Sequence, residues 1–245
     1  MTTLAILLIG FVAAFLVGVS SIGGVLVLPA LVFMLGVPTH DAIPAAMLSF
    51  IAPSLIALVI VHRRGALDLR ASAAVWSGAI PGALVGGLIL PWDPVRLLLW
   101  AIVVILLASA IRALGGGATP RTGGTLSPLG FAVSGLAVGL VSALTGTGGP
   151  ITLMPILGWR GVEPRRAVML CQSITLPIVI FASIGYVWSL RLDWRLIGLL
   201  AFASTIGILV GLTIAKRMPV AQVARVIAAL MAVTAVIVGA RLLTS

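Results

Sequence analysis

The sequence predicts an all-α integral membrane protein made of two inverted repeats, and three observations support this fold class. Of its 245 residues, 61% are hydrophobic and 8% are charged, whereas about a quarter of the residues in a soluble domain are charged. Long apolar runs follow one another, and hydropathy counts about eight such segments. The two halves of the chain also share a pattern in register. Each half is predicted to hold one interrupted segment and three transmembrane helices.

Six of the apolar runs are predicted to cross the membrane as single helices. Each holds roughly the 20 residues that span ~30 Å of hydrocarbon. The Lys and Arg residues lie at the ends of these runs and form no patch on a soluble face. The formal charge of +10 therefore indicates membrane topology and not nucleic-acid binding. The six runs are 42–61, 71–90, 97–114, 167–188, 196–215 and 221–240.

A shift of 125 positions aligns the second half of the chain with the first. We divide the chain into a first repeat at 1–114, a glycine-rich linker at 115–127 and a second repeat at 128–245. Small residues recur every four positions on one helix of each repeat, which predicts close approach of a neighbouring helix. The matches are Gly23-Gly24 with Gly148-Gly149, Gly36-Val37 with Gly161-Val162, Asp68 with Asp193, and Gly78, Gly82 and Gly86 with Ala203, Gly207 and Gly211.

A polar, glycine-rich break interrupts the first apolar segment of each repeat. Glycine relaxes the backbone and proline removes a donor, so a helix is predicted to stop at each break and a new one to begin, with Pro150 at its first position. The N–H groups at a new helix start carry a partial positive charge, which suits a small anion. The breaks are Ser20-Ser21-Ile22-Gly23-Gly24 and Thr145-Gly146-Thr147-Gly148-Gly149-Pro150.

The segments that contain the breaks decide the predicted topology. Residues 4–36 would form about 50 Å of helix, which is too long to cross once. If each such segment is a re-entrant hairpin, the 15 Lys and Arg residues divide unequally, as the positive-inside rule expects. We therefore predict hairpins, three spans per repeat, an inverted second repeat and both termini outside. The cation-rich side would hold Arg63, Arg64, Arg70, Arg112, Arg121, Arg160, Arg165, Arg166, Lys216, Arg217 and Arg225, and the other side Arg96, Arg191, Arg195 and Arg241.

Residues of the breaks and polar side chains on the following spans are the candidate substrate-binding residues. Gln172 is the largest uncharged polar group well inside a span, and an amide in hydrocarbon needs a partner. Ser and Thr hydroxyls can alternatively bond to their own helix. Thr175 is a further polar neighbour of Gln172. The candidates are Ser20, Ser21, Gly23, Gly24, Ser49, Thr145, Gly146, Thr147, Gly148, Gly149, Gln172 and Ser173.

The chain carries no pattern typical of an enzyme or a metalloprotein. It has no HExxH, Walker or GxSxG motif, and its few acids and histidines lie at segment ends. We expect no catalytic residue, metal or cofactor. The single cysteine, Cys171, excludes an intrachain disulfide. No charged residue lies near the middle of a predicted span, so backbone N–H groups, hydroxyls and helix dipoles would hold an anion. Asp68 and Asp193 are predicted to cap the spans that follow them.

The order of these motifs in both halves resembles the TauE/SafE family of membrane proteins. In each half a Gly-Gly break is followed by an apolar stretch with Pro29 or Pro155, a glycine-valine turn and a serine-containing span. The resemblance covers nearly the whole chain. It implies a permease for small sulfur-containing or carboxylated anions, such as sulfite, sulfoacetate or related organosulfonates, often moved outward.

We therefore expect a secondary transporter with alternating access at a midplane site, located in the plasma membrane, the inner membrane of a bacterium. Its partners would be a small anionic solute and the lipid bilayer, with a homo-oligomer left open and no nucleic acid. Two alternatives stay open. One is a membrane scaffold subunit that transports nothing itself, and the other is a passive anion channel.

Overall fold

The computed structural model of the chain describes residues 2–21, 23–63, 65, 68–90, 127–189 and 192–218, and the single positions 222, 225, 229 and 236. All regular secondary structure in these residues is helical. The predicted span at 97–114 lies outside the described residues. So do most of the span at 221–240 and all of the linker at 115–127 except Ser127.

The described residues form helices that we number in chain order. A 3-10 helix at Gly23–Leu26 precedes α2, and a π-helix at Ala30–Met34 follows it. The α-helices are α1 (Thr2–Ser20), α2 (Val27–Pro29), α3 (Thr39–Ser49), α4 (Ile51–Arg63), α5 (Leu69–Ile89), α6 (Pro128–Thr145), α7 (Pro150–Trp159), α8 (Pro164–Ser189) and α9 (Trp194–Ala215).

Six helical segments of the described chain are long and apolar enough to cross a membrane. Four of them, Thr39–Arg63, Leu69–Ile89, Arg165–Trp188 and Trp194–Ala215, correspond to predicted spans. The other two, Thr3–Ser20 and Pro128–Thr145, are the first legs of the predicted hairpins. The chain is therefore a multi-pass membrane protein, as its composition predicts.

Both breaks end a helix as predicted. Helix α6 ends at Gly146, which has a φ of 68°, and the N–H groups of Gly146 and Thr147 both bond the carbonyl of Ser142. Pro150 then opens α7, because its missing N–H is not needed in the first helical turn. In the first repeat, α1 ends at Ser20. Ser21 follows with a φ of 66°, a left-handed conformation that is costly for any residue with a Cβ.

The predicted aspartate caps are confirmed at α5 and α9. The carboxylate of Asp68 accepts the N–H of Ala71, and that of Asp193 accepts the N–H groups of Arg195 and Leu196. Asp68 also pairs with Arg166 at the start of α8. The Ala71 N–H and the Arg166 guanidinium hold the pKa of Asp68 below its usual value. This ion pair ties the start of α5 to the start of α8.

The small residues on α5 lie against α6, as their spacing predicts. Gly78 contacts Ala132 and Leu136, while Gly86 contacts Leu140 and Ala143. Because the residue numbers rise together on both helices, α5 and α6 run parallel. A Cβ at Gly82 would meet the carbonyl oxygen of Leu136. Only a glycine therefore allows this approach of the two backbones.

The equivalent face of α9 packs against α1 in the same way. Gly10 lies against Ala203, and Gly18 lies against Gly211 and Leu212. These helices also run parallel. A Cβ at Gly207 would meet the carbonyl oxygen of Phe11. The first helix of each repeat thus packs against the glycine-lined helix of the other repeat, so the contacts between the halves are reciprocal.

One end of the bundle collects most of the described cations. Asp68 and Arg166 share a groove with Pro128 and Phe131, so α5, α6 and α8 all begin at this end. Val61 of α4, Arg165 and Lys216 line one cavity, so α4 and α9 end there. We call this the basic end. Its cations are Arg63, Arg70, Arg160, Arg165, Arg166, Lys216 and Arg217.

Candidate functional site

The two breaks meet at one internal cavity, which we call the tip cavity. Val17, Ser21 and Gly24 line it from the first break. A Cβ added at Gly24 would lie 3.7 Å from the carbonyl oxygen of Thr147 in the second break. The cavity measures about 10 Å³, roughly the room that one water molecule needs. In this conformation the breaks close on each other.

The first break is fastened to α8 by Ser21. Its hydroxyl donates to the carbonyl of Val168 at 3.1 Å, and its N–H bonds the carbonyl of Val17 at 2.7 Å. The side chain is 2% exposed. Gly23 and Gly24 begin the 3-10 helix that leads the chain away from the cavity. Ser21 is thus both strained at its backbone and buried at its hydroxyl.

The second break wraps the other side of the tip cavity with Gly146, Thr147, Gly148 and Pro150. Gly148 and Gly149 have φ values of 72° and 104°, which residues with a Cβ rarely adopt. Gly149 also packs close to Ile174 and Ile178 of α8, and a Cβ there would lie 2.8 Å from Ile178. Glycine is therefore favoured by conformation at Gly148, and by both conformation and space at Gly149.

The hydroxyl hydrogens of Thr145, Thr147 and Thr175, beside the second break, are already used inside the protein. Thr145 donates to the carbonyl of Val141 at 2.7 Å. It therefore accepts in its 3.1 Å contact with Thr147, since a hydroxyl has one hydrogen. Thr175 donates to the carbonyl of Cys171. The three hydroxyls are thus poor first choices as donors to a ligand in this conformation.

Two backbone amides of the second break are uncommitted donors. Within the described residues, the N–H groups of Gly148 and Gly149 make no hydrogen bond. They precede α7, a regular helix of ten residues whose N-terminal residue lines the tip cavity. The positive end of the α7 dipole therefore points toward the same place as these donors. This arrangement can accept a small anion.

The structure gathers some of the predicted site residues at the tip cavity and separates others. Ser21, Gly24, Gly146, Thr147 and Gly148 line it. Thr145 and Gly149 lie directly behind this lining, bonded to Thr147 or packed on Ile174. Gly23 starts the adjoining 3-10 helix. Most of both breaks thus converges on one point.

The remaining predicted residues lie away from the tip cavity. Ser20 and Ser49 bond the carbonyls of Leu16 and Ala46 on their own helices, which is the alternative that the sequence leaves open. Ser173 joins α8 to α5. Its hydroxyl shares a hydrogen bond with Ser72, and its carbonyl accepts the indole N–H of Trp76.

That carbonyl is open to Trp76 because Pro177, four residues on, has no N–H to give it. Gln172 lines a different cavity, near the basic end. It is therefore not brought together with the breaks.

Three side chains complete the tip cavity. They are Thr175, Met47 and Phe50. The sequence marks Thr175 only as a polar neighbour of Gln172, and it gives no signal for the other two. Apolar residues in an apolar protein cannot be singled out by composition. Phe50 occupies the junction between α3 and α4, where Pro53 cannot donate to the carbonyl of Ser49. Pro53 is therefore the sequence signal that the helix is interrupted near the site.

The fold and the site define the class of protein. It is a multi-pass membrane protein in which two broken helices meet at a closed cavity, and the described residues contain no cluster of acids, histidines or cysteines able to hold a metal ion. Discontinuous helices that meet at one site are a feature of many membrane transport proteins.

The sequence matches the family described as Sulfite exporter TauE/SafE over residues 6–238, and the chain belongs to this family. Membership implies transport of sulfite or another anion. No curated protein and no solved structure matches the chain.

Proposed function

We propose that the protein is a secondary transporter, most naturally an exporter, of a small sulfur-containing or carboxylated anion such as sulfite, sulfoacetate or another organosulfonate. One observation carries the proposal. Two polar breaks from different halves of an apolar chain meet at a single cavity, with Gly24 against Thr147. A structural role alone does not require both breaks at one point.

The chemistry of the second break suits a compact oxyanion. The free N–H groups of Gly148 and Gly149 and the start of α7 supply positive potential without a full charge. A bound oxyanion would accept hydrogen bonds from these amides, and the hydroxyls of Ser21, Thr147 and Thr175 would turn toward it by giving up their present partners. Charge-assisted hydrogen bonds are about twice as strong as neutral ones, which favours this exchange. Without a counter-charge, release stays easy.

The directions of the helices support two re-entrant hairpins. Helix α6 begins at the basic end, and α8 begins there too, so residues 128–163 enter and return on one side. Helix α1 runs parallel to α9 and therefore ends toward the basic end. The α3–α4 pair also ends there, so residues 2–38 enter and return on the opposite side. Two hairpins from opposite sides make the repeats inverted, with three spans each once 97–114 and 221–240 are counted.

Reciprocal contacts at the tips support the same symmetry. Ser21 bonds Val168, and Gly146 packs on Ile43. Gly146 lies 125 positions after Ser21, and Val168 lies 125 positions after Ile43, so the two contacts are equivalent in the two repeats. Two equivalent hairpins over one cavity can open it alternately toward either side, which is the mechanism of many inverted-repeat transporters.

Transport by proteoliposomes that hold the purified protein tests the proposal, with Gly24→Ala as the decisive variant. A Cβ at Gly24 would make only ordinary contacts at 3.7 Å, so the variant is expected to fold. The methyl group would fill a cavity with room for about one water molecule. We expect saturable uptake of sulfite or sulfoacetate in the wild type and a loss of about tenfold or more in Gly24→Ala.

Gly158→Ala is the matched control, because Gly158 is exposed on α7 and has open space around it. Uptake by Gly24→Ala equal to that of Gly158→Ala would contradict the tip site. Flux that never saturates and never accumulates solute against a gradient would identify a passive channel. A stoichiometric protein partner without any solute flux would identify a scaffold subunit.

We also propose the location and orientation of the chain. The positive-inside rule places the basic end in the cytoplasm of a bacterium. Residues 1–114 and 128–245 then form the two repeats in the plasma membrane, joined by the linker, with both termini outside. The partners of the protein in this proposal are its solute and the surrounding lipid.

A further inference from the structure

A second cavity lies near the basic end, and we call it the basic cavity. It measures about 300 Å³, at the lower limit of the ~300–1,000 Å³ typical of small-molecule sites. The end of α1 forms one wall, while α4, α8 and α9 form the others. It is far larger than the tip cavity and is a separate space.

One face of α8 gives this cavity its polarity. Arg165, Val168, Met169 and Gln172 all line it, as helical spacing allows for positions i, i+3, i+4 and i+7. Arg165 stands at the mouth, and Gln172 lies about 10 Å deeper along the helix axis. The face therefore combines a cation outside with an amide inside.

Gln172 is buried but unpartnered. The residue is 4% exposed, and its side-chain amide makes no hydrogen bond within the part of the chain that the structure describes. The amide atoms of Gln172 are not among the fully enclosed polar atoms that lack a partner, and the residue lines the basic cavity, so a ligand there can supply the missing partner.

The described charged residues that line the basic cavity are of one sign. They are Arg165 and Lys216, and none of the described lining residues is an acid. Among the described residues, the ion pair recorded is that of Arg166 with Asp68, so Arg165 and Lys216 are not neutralised by a salt bridge. The remaining walls are apolar, with Val19, Val61 and Leu212 among them.

We propose that the basic cavity is a second binding site, for an oxyanion carried on a short apolar body. Arg165 and Lys216 attract the oxyanion into the cavity from the mouth, the Gln172 amide donates a hydrogen bond to one of its oxygen atoms, and the apolar walls hold its body. An alkyl sulfonate or carboxylate has this chemistry, and so does the headgroup region of an anionic lipid. The site stands without the proposed transport function, although an anion bound there would be well placed to enter the tip cavity.

The two cavities are neighbours with a thin wall between them. Val17 and Ser21 line the tip cavity, whereas Gly18 and Val19 line the basic cavity. The hydrogen bond from Ser21 to Val168 closes this wall. Gln172 lies three residues before Thr175, which lines the tip cavity, so one helical turn separates the two sites along α8.

Equilibrium binding of propanesulfonate to the purified full chain in phosphatidylcholine nanodiscs tests the proposal. We expect saturable binding that weakens about tenfold or more in Gln172→Leu, because a hydrogen bond to a charged group is lost. Gln172→Glu keeps the size of the side chain and adds a negative charge, which repels the negatively charged sulfonate, so it should weaken binding further. Arg165→Ala with Lys216→Ala should also weaken binding about tenfold at low salt and less at high salt.

Arg160→Ala with Arg217→Ala is the matched control. Both residues are exposed cations of the basic end that do not line the cavity, so binding should stay unchanged. The site would be overturned if the Gln172 variants bound propanesulfonate as tightly as the wild type. Equal losses of affinity in the Arg165/Lys216 and Arg160/Arg217 double variants would also overturn it. The comparison of the two cation-pair variants tests the site even if Gln172→Leu folds poorly.

Binding and transport separate this proposal from the proposed function. Gly24→Ala alters the tip cavity and should retain propanesulfonate binding that depends on Gln172, even when uptake is lost. Loss of binding in Gly24→Ala would overturn a separate site.

A second set of nanodiscs identifies the source of the oxyanion. If added phosphatidylglycerol abolishes propanesulfonate binding to the wild type, a lipid headgroup fills the site; if binding persists, a free solute fills it.

Discussion

Ser21 shows how one residue can carry both strain and a fastening contact. Its φ of 66° is unfavourable for any residue with a Cβ, and its hydroxyl bonds the carbonyl of Val168 between the two cavities. The equivalent position in the second repeat, 125 residues on, is Gly146, with a φ of 68° and no hydroxyl. Serine at this position thus adds a bond at the expense of backbone strain.

Substitutions at Ser21 should separate these two effects. Ser21→Ala loses the hydrogen bond and keeps the strain, so the free energy of unfolding should fall by about 1 kcal/mol. Ser21→Gly loses the bond but relieves a strain of about 1 kcal/mol, so its stability should remain near that of the wild type. Thermal unfolding in detergent micelles measures the stability of both variants relative to the wild type. Equal stability of the two variants would show that Ser21 is not strained.

At the scale of the helix, close parallel packing holds the two repeats together. Gly78, Gly82 and Gly86 let α6 approach α5, and Gly207 and Gly211 let α1 approach α9. In each case the atom that blocks a side chain is backbone, which cannot move aside as a flexible side chain can. The first helix of each half is therefore held by the other half of the chain.

Alanine at either glycine face should push two helices apart. We expect Gly82→Ala and Gly207→Ala each to lower stability by about 1–3 kcal/mol, because overpacking displaces backbone. The two sites lie in different helix pairs, so their effects should add. Gly198→Ala, on α9 with open space around it, is the control and should have little effect. Thermostability followed by size-exclusion chromatography measures all three, and an unaffected Gly82→Ala would contradict the packing.

At the scale of the whole molecule, the directions of the helices predict the membrane topology of the chain. The turn that holds Arg160 lies between α7 and α8 at the basic end, whereas Thr39 begins α3 at the opposite end. If the hairpins enter from opposite sides, these two exposed positions face different compartments. The native thiol of Cys171 is buried and should interfere little with labelling.

Cysteine labelling in intact cells tests this topology. An impermeant thiol reagent should modify Thr39→Cys from outside and leave Arg160→Cys unmodified until the membrane is opened. The unsubstituted chain is the control for Cys171. Modification of both positions from the same side would rule out inverted repeats and would indicate that the first segment of each half crosses the membrane once, as a broken helix.

Much of the fold could be predicted because the bilayer imposes strong constraints on sequence. Apolar runs of the required length, aspartates at helix starts, glycines at helix ends and small residues at contact faces each carry a local physical cause. The repeat then doubles every signal. The positions of Ser21, Thr147 and Gly148 near one cavity follow from the same pattern, once the two breaks are assumed to meet.

What the sequence by itself determined was therefore the class of fold, the two breaks and the candidate anion donors, since these depend on local backbone chemistry. Only the tertiary structure decided which polar residues share a cavity. Gln172 and Thr175 lie one turn apart on α8, yet they face different spaces, because the first break packs against Val168 and divides one from the other. Met47 and Phe50 likewise became part of the site through packing, which leaves no trace in an apolar sequence.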